Sequence, residues 1–194
     1  MRIWVQAVKK DDFSQAQIYD YVNEMNQCFV DTVRATGGNN AKRILIASGY
    51  WTNIDKTTDK RFKMPTDSAK DKMMVSVHYI DNACYWSKQV GGDYWLDYSK
   101  AQCELLKQAF MDKGIPVFVG ECTGAYGKDN IASDAQYTKS EECLSLLLNM
   151  AVDYGFIPVL WDVNDGFYSR TDCKIKVPAN QEVITSVANK IAQG

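Results

Sequence analysis

Twice in this sequence a helical pattern stops on glycine, a proline opens an apolar run, and an acid stands just beyond that run. Asp112-Lys113-Gly114-Ile115-Pro116-Val117 leads to Glu121, and Asp153-Tyr154-Gly155 followed by Ile157-Pro158-Val159 leads to Asp162, about forty residues later. A helix that repeatedly returns the chain to start a new strand is the connection parallel strands need, because a tight hairpin joins only antiparallel ones. The repeated step therefore predicts a parallel α/β architecture.

The rest of the chain keeps the same alternation. Ile18, Val22, Met25, Phe29 and Val33 recur at helical spacing, with Ser14 as N-cap and Gly37-Gly38-Asn39-Asn40 as the stop. Arg43-Ile44-Leu45-Ile46-Ala47 then reads as a strand covered on both faces. A polar loop over 52–68 precedes a second strand, Met73 to Tyr79. Tyr94 to Lys113 reads as a helix, and 115–119 as the third strand. A helix over 138–154, a strand over 157–161 and a helix over 180–192 follow.

Four strand–helix units fall short of the eight, in about 250 residues, of a closed barrel. A doubly wound nucleotide fold asks for a Gly-rich phosphate loop. Gly37-Gly38 and Gly91-Gly92 lack both its spacing and its preceding strand. The arithmetic favours half a (β/α)8 barrel, a (β/α)4 domain over residues 1–194 whose first 13 residues form an irregular or exchanged segment.

Charge narrows the partners. With 22 basic and 24 acidic side chains the net charge is −2, so no cationic surplus exists for nucleic-acid phosphates. No apolar run approaches the roughly 18–20 residues of a membrane span, and Met1-Arg2-Ile3-Trp4 opens no signal-peptide core. The six cysteines stand far apart with no C-x-x-C pair, and His78 is the one histidine, which argues against a bound metal. Buried thiols are the expected state of these cysteines.

In parallel α/β folds the C-terminal strand ends form the functional rim. Those ends carry Tyr50, Trp51 and Asn53, then His78 and Tyr79, then Glu121, then Trp161, Asp162 and Asn164. Carboxylates attack and protonate glycosidic bonds, and indole faces stack on sugar rings. Trp51 and Trp86 are candidates for outer subsites, set against ordinary packing.

Val117-Phe118-Val119-Gly120-Glu121 resembles the nucleophile strand of glycoside hydrolase family 5, the retaining cellulases and related β-glucanases. Val75-Ser76-Val77-His78-Tyr79 is similar to that family's preceding strand, and Val159-Leu160-Trp161-Asp162 to its last. Phe29-Val30-Asp31-Thr32-Val33-Arg34-Ala35-Thr36-Gly37-Gly38-Asn39-Asn40 resembles the helix and turn before strand five. The resemblance implies strands five to eight of a TIM barrel and endo-β-1,4-glucanase-like cleavage of cellulose or related plant β-glucans. It gives Glu121 as nucleophile, His78 and Tyr79 as its neighbours, and Trp161 stacked at the cleavage point. Asp162, Asn164, Trp86 and Trp51 are placed along the substrate. It implies no cofactor and an extracellular setting.

Two departures stand out. The family's acid/base Glu lies in an Asn-Glu-Pro motif after strand four, whereas here Asn23-Glu24 is followed by Met25 within a helical pattern. Many relatives place Tyr two residues after the His, where this chain has Ile80. A half barrel would leave two open strand edges, which a homodimer closes about a two-fold axis. Asp162 of one copy would then stand near the acid/base place of the other. The alternative reading is a carbohydrate-binding half barrel with impaired catalysis, or a fragment without the acid/base Glu.

Overall fold

A capping box opens the first helix of the computed structural model, which describes residues 13–78, 93–122, 140–162 and 167–193. In α1, Gln15–Ala35, the Ser14 hydroxyl accepts from the Gln17 amide, and the Gln17 side chain accepts from the Ser14 amide. Two of the four amides that a helix start leaves unsatisfied are thereby paired. The stop is as expected: Gly37 and Gly38 take φ of 65° and 56°.

The buried face of α1 is not the expected one. Tyr19, Val22, Asn26 and Val30 face inward, whereas Phe29 is 46% exposed. Asn26 decides the phase: its Nδ2 donates to the Ser48 carbonyl at 3.0 Å, so a polar side chain is buried fully satisfied.

Four strands follow: β1, Leu45–Ser48; β2, Met73–His78; β3, Val117–Cys122; and β4, Ile157–Leu160. They form one sheet in the order β1-β2-β3-β4. β1 and β2 run parallel with Leu45 opposite Met73 and Ser48 opposite Ser76, and the Val75 amide reaches the Pro116 carbonyl at 3.0 Å. Val75, Val77, Val117 and Val119 are fully buried, each stabilising the fold by about 1.5–3 kcal/mol.

The helices between them are α2, Ile54–Thr57; α3, Asp93–Ala109; α4, Ser140–Asp153; and α5, Pro178–Gln193. Three differences from expectation are clear. The α-helix expected to reach Lys113 stops at Ala109, and Met111–Lys113 is a 3-10 turn. The loop over 52–68 contains α2, capped by Asn53. A hairpin, β5 Tyr168–Ser169 with β6 Lys174–Ile175, precedes α5.

The repeated glycine step has one geometry. Gly114 and Gly155 take φ of 74° and 75°. The Gly114 amide donates to Met111 O and the Ile115 amide to Phe110 O; likewise Gly155 to Val152 and Phe156 to Ala151. Both are Schellman turns, which need a residue at positive φ and so select glycine.

Contacts divide the chain into two units, Met1–His78 with Leu105–Phe118, and Tyr79–Glu104 with Val119–Gly194. In the first, Ile44 and Ile46 are 51% and 40% exposed. The double coverage expected of this strand is therefore absent among the described residues: Leu45 and Ala47 are buried, whereas the other row is open at Ile44 and Ile46 and closes only at Ser48. In the second, Leu144, Leu148, Phe167 and Val187 form a core against which Leu160, Ile175 and Val183 pack.

The thiols divide as well. Cys103, Cys122 and Cys143 are buried, whereas Cys28 and Cys173 are exposed, against the expectation of uniform burial. Burial pushes the Cys103 thiol up to about 12. No helix among the described residues is long and apolar enough to cross a membrane.

Candidate active site

In the first unit the functional end of β1 is a strained turn. Asn26 holds the Ser48 carbonyl, and Gly49 follows in extended backbone. A Cβ at Gly49 would lie 2.4 Å from Thr57 Oγ1 and 2.8 Å from Thr57 Cα, so the contact excludes every side chain. Beyond it, Trp51 and Thr52 both adopt positive φ, 62° and 54°, a conformation costly for residues with a Cβ. Bonds from the Thr52 amide to Gly49 O and from the Asn53 amide to Tyr50 O close the turn. Asn53 Oδ1 accepts the Lys56 amide at 3.1 Å. The result presents the Trp51 indole 41% exposed, edge-on to Tyr50 with centroids 5.9 Å apart.

A strap without regular structure, residues 59–69, is stitched to α1 by side chains. Asn23 bonds the Arg61 carbonyl and the Lys63 amide at 2.8 and 2.9 Å. Gln27 bonds the Thr66 amide and carbonyl at 2.8 and 3.0 Å. Arg34 forks onto Asp67, with Nε at 2.7 Å and Nη2 at 2.6 Å. That guanidinium holds the Asp67 carboxyl below the usual carboxylate range, and Arg61 holds Asp59 down to about 2. Sequence reasoning missed this role; the available signal was the i, i+4 spacing of Asn23 and Gln27 beside a Gly-poor polar loop.

His78 is the last residue of β2 and is half-buried. Tyr79 lies outside the described residues, as do Trp86 and Asn164.

In the second unit Glu121 is the fifth residue of β3. Burial alternates through Val117 and Val119 and then breaks. Glu121, which strict alternation would bury beside them, is half-buried, and Cys122 is buried instead. Gly120 stands at the break, where a strand tolerates local distortion most cheaply. The Trp161 amide donates to the Cys122 carbonyl at 3.1 Å, so β3 and β4 bring Glu121 and Trp161 to one strand end. Asp162 follows, its Oδ1 accepting the Phe167 amide at 2.8 Å. Its carboxylate thus closes the connection from β4 to the hairpin. Among the described residues no cluster of His, Cys, Asp and Glu is arranged to hold a metal ion.

A half-buried carboxylate at the end of a parallel strand, with a tryptophan at the end of the next, suits attack on a glycosidic carbon. Comparison with known proteins places the chain among relatives. The family model Cellulase (glycosyl hydrolase family 5) matches residues 5–166. Endoglucanase 1 of Ruminococcus albus is 32% identical over 182 residues, covering 88% of this chain and 43% of that protein. Endoglucanase A of Paenibacillus barcinonensis is 31% identical over 206 residues, covering 91% and 50%. A solved GH5-4 broad specificity endoglucanase from an uncultured bovine rumen ciliate superposes with a TM-score of 0.79 at 29% identity, covering 94% of this chain and 57% of that one. The chain spans about half the length of the curated relatives it matches. With most of its length matched by the model, and the parallel sheet it forms shared with solved members, this chain belongs to glycosyl hydrolase family 5.

Proposed function

We propose that the chain carries the nucleophile half of an endo-β-1,4-glucanase-like retaining site acting on cellulose or a related plant β-glucan in an extracellular setting. The observation that carries this reading is Glu121: a half-buried acid where alternation would have hidden it, at a strand end shared with Trp161. Its carboxylate attacks the anomeric carbon, forming a glycosyl–enzyme ester as the leaving oxygen takes a proton from a second carboxyl. Water then hydrolyses the ester and restores both groups. His78 and Tyr79 position the nucleophile and sugar, Trp161 stacks at the cleavage point, and Asn164, Trp86 and Trp51 line outer subsites. Asp162, bonded to the Phe167 amide, is better suited to shaping its end of the cleft than to proton donation.

The proton donor is the open part of the reading, since the 194 residues contain no Asn-Glu-Pro. A second copy of the chain, packed on the open row of Ile44 and Ile46, is the proposed source of further strands. Measuring reducing ends released from carboxymethyl cellulose, mixed-linkage β-glucan and xyloglucan tests the whole. Glu121→Ala is expected to lower turnover by roughly 10³-fold or more, as loss of a nucleophile does. Equal rates for both chains, with oligosaccharide still bound, would favour the carbohydrate-binding alternative.

A further inference from the structure

Tyr50, the neighbour of Trp51 in the turn, also lines a cavity of about 260 Å³. Aromatic rings of Phe13, Tyr19 and Tyr50 line it, and its polar rim is made by Asp55, Lys56, Asp59 and Arg61. The rim is held in place before any ligand arrives. Arg61 forks onto Asp59, with Nε at 2.9 Å and Nη2 at 2.7 Å, while its guanidinium carbon sits 4.4 Å from the Tyr19 ring centre. Asn23 grips the Arg61 backbone, and Lys56 Nζ stands 4.5 Å from the Tyr50 ring centre. Side chains fixed in advance lose little freedom on binding, which favours affinity.

The chemistry of the rim selects the ligand. Two carboxylates face two cations, so the cavity offers no net charge to an anion. It sets both hydrogen-bond acceptors and donors beside aromatic surface. A pyranose matches both, with C–H faces for the rings and hydroxyls that donate and accept. The volume is at the small end for ligand pockets, near the roughly 300 Å³ lower bound, and suits one sugar ring rather than a polymer strand. Tyr50 joins the cavity to the exposed Trp51 indole.

We propose that this cavity is a further saccharide subsite, taking one neutral pyranose unit, a chain end or a branch, of a glucan that lies on Trp51. The inference rests on the glucanase reading, but its test reads the two sites separately. The full chain, labelled with ¹⁵N, is titrated with cellotriose and, in parallel, with inorganic phosphate. Cellotriose is expected to shift the amides of Lys56, Asp59 and Arg61 and the Arg61 Nε–H. Lys56→Met, checked for an unchanged spectrum elsewhere, should weaken binding read at those signals about tenfold, the loss of one charged hydrogen bond. Affinity read at the Trp161 indole should change less than about twofold, since the two sites share no partner. Shifts at Trp161 with none at 55–61 would overturn the subsite and leave the glucanase reading standing. Shifts at 55–61 with none at Trp161 would uphold the sugar site and count against that reading. Phosphate binding there more tightly than cellotriose would overturn the neutral-sugar assignment.

Discussion

Gly49 and Gly114 show two different reasons for having no side chain. At Gly114 a Cβ would meet nothing within 4 Å, and φ of 74° is the whole constraint. Gly114→Ala should therefore cost about 1–2 kcal/mol, the penalty of left-handed backbone for an L-residue. At Gly49 the backbone is ordinary, but Thr57 Cα would lie 2.8 Å from the new carbon. Gly49→Ala should cost about 1–3 kcal/mol as overpacking does, and should also displace the Trp51 turn. Urea unfolding measures both costs, and only the Gly49 variant should alter the Trp51 emission. Asp59 gives a pH signature at the same scale. Because Arg61 holds its carboxyl at about 2, below the unfolded value of about 3.9, the unfolded chain binds the proton first as pH falls. The pair's contribution is complete above about pH 4 and is lost on descending through about pH 2. Asp59→Asn should flatten that part of the unfolding-midpoint profile. Asp67, lowered by Arg34, contributes with the same sign.

The elements separate what was legible in the sequence from what was not. The two glycine-to-strand steps were plain, because a Schellman turn leaves its mark in adjacent residues. Glu121 and Trp161 at strand ends followed from the same local pattern. The phase of α1 was not legible, since an apolar count favours Phe29 over Asn26. Only the Ser48 carbonyl, 22 residues away, makes Asn26 an inward residue. The strap was invisible for the same reason: its anchors are 33 to 40 residues from their partners, and no local period records them. A direct check is amide exchange. Asn23→Ala and Gln27→Ala should speed exchange at Lys63 and Thr66 by about tenfold, the loss expected when local protection rests on one bond. Amides of β2 should keep their protection.

At the scale of the whole molecule, two rows of β1 side chains meet different fates. Leu45 and Ala47 are buried, while Ile44 and Ile46 stand half open on the other row. Edge strands with open apolar residues are normally covered or charged, and neither device is present on this row among the described residues. Light scattering during size exclusion is expected to give about twice the 21.9 kDa chain mass. Ile44→Lys with Ile46→Lys should return it to one. A stable monomer for the parent chain would remove the second copy as the source of further strands. The strap carries one more implication, for engineering. Asn23 grips its main chain, at Arg61 and Lys63, whereas Gln27 takes the Thr66 hydroxyl as well as its backbone and Arg34 takes the Asp67 carboxylate. Lys63, exposed and gripped through its amide, is therefore open to substitution, provided the length between anchors is kept. A segment whose route is specified at a few fixed positions leaves the exposed ones between them as places to graft new binding specificity without redesigning the scaffold.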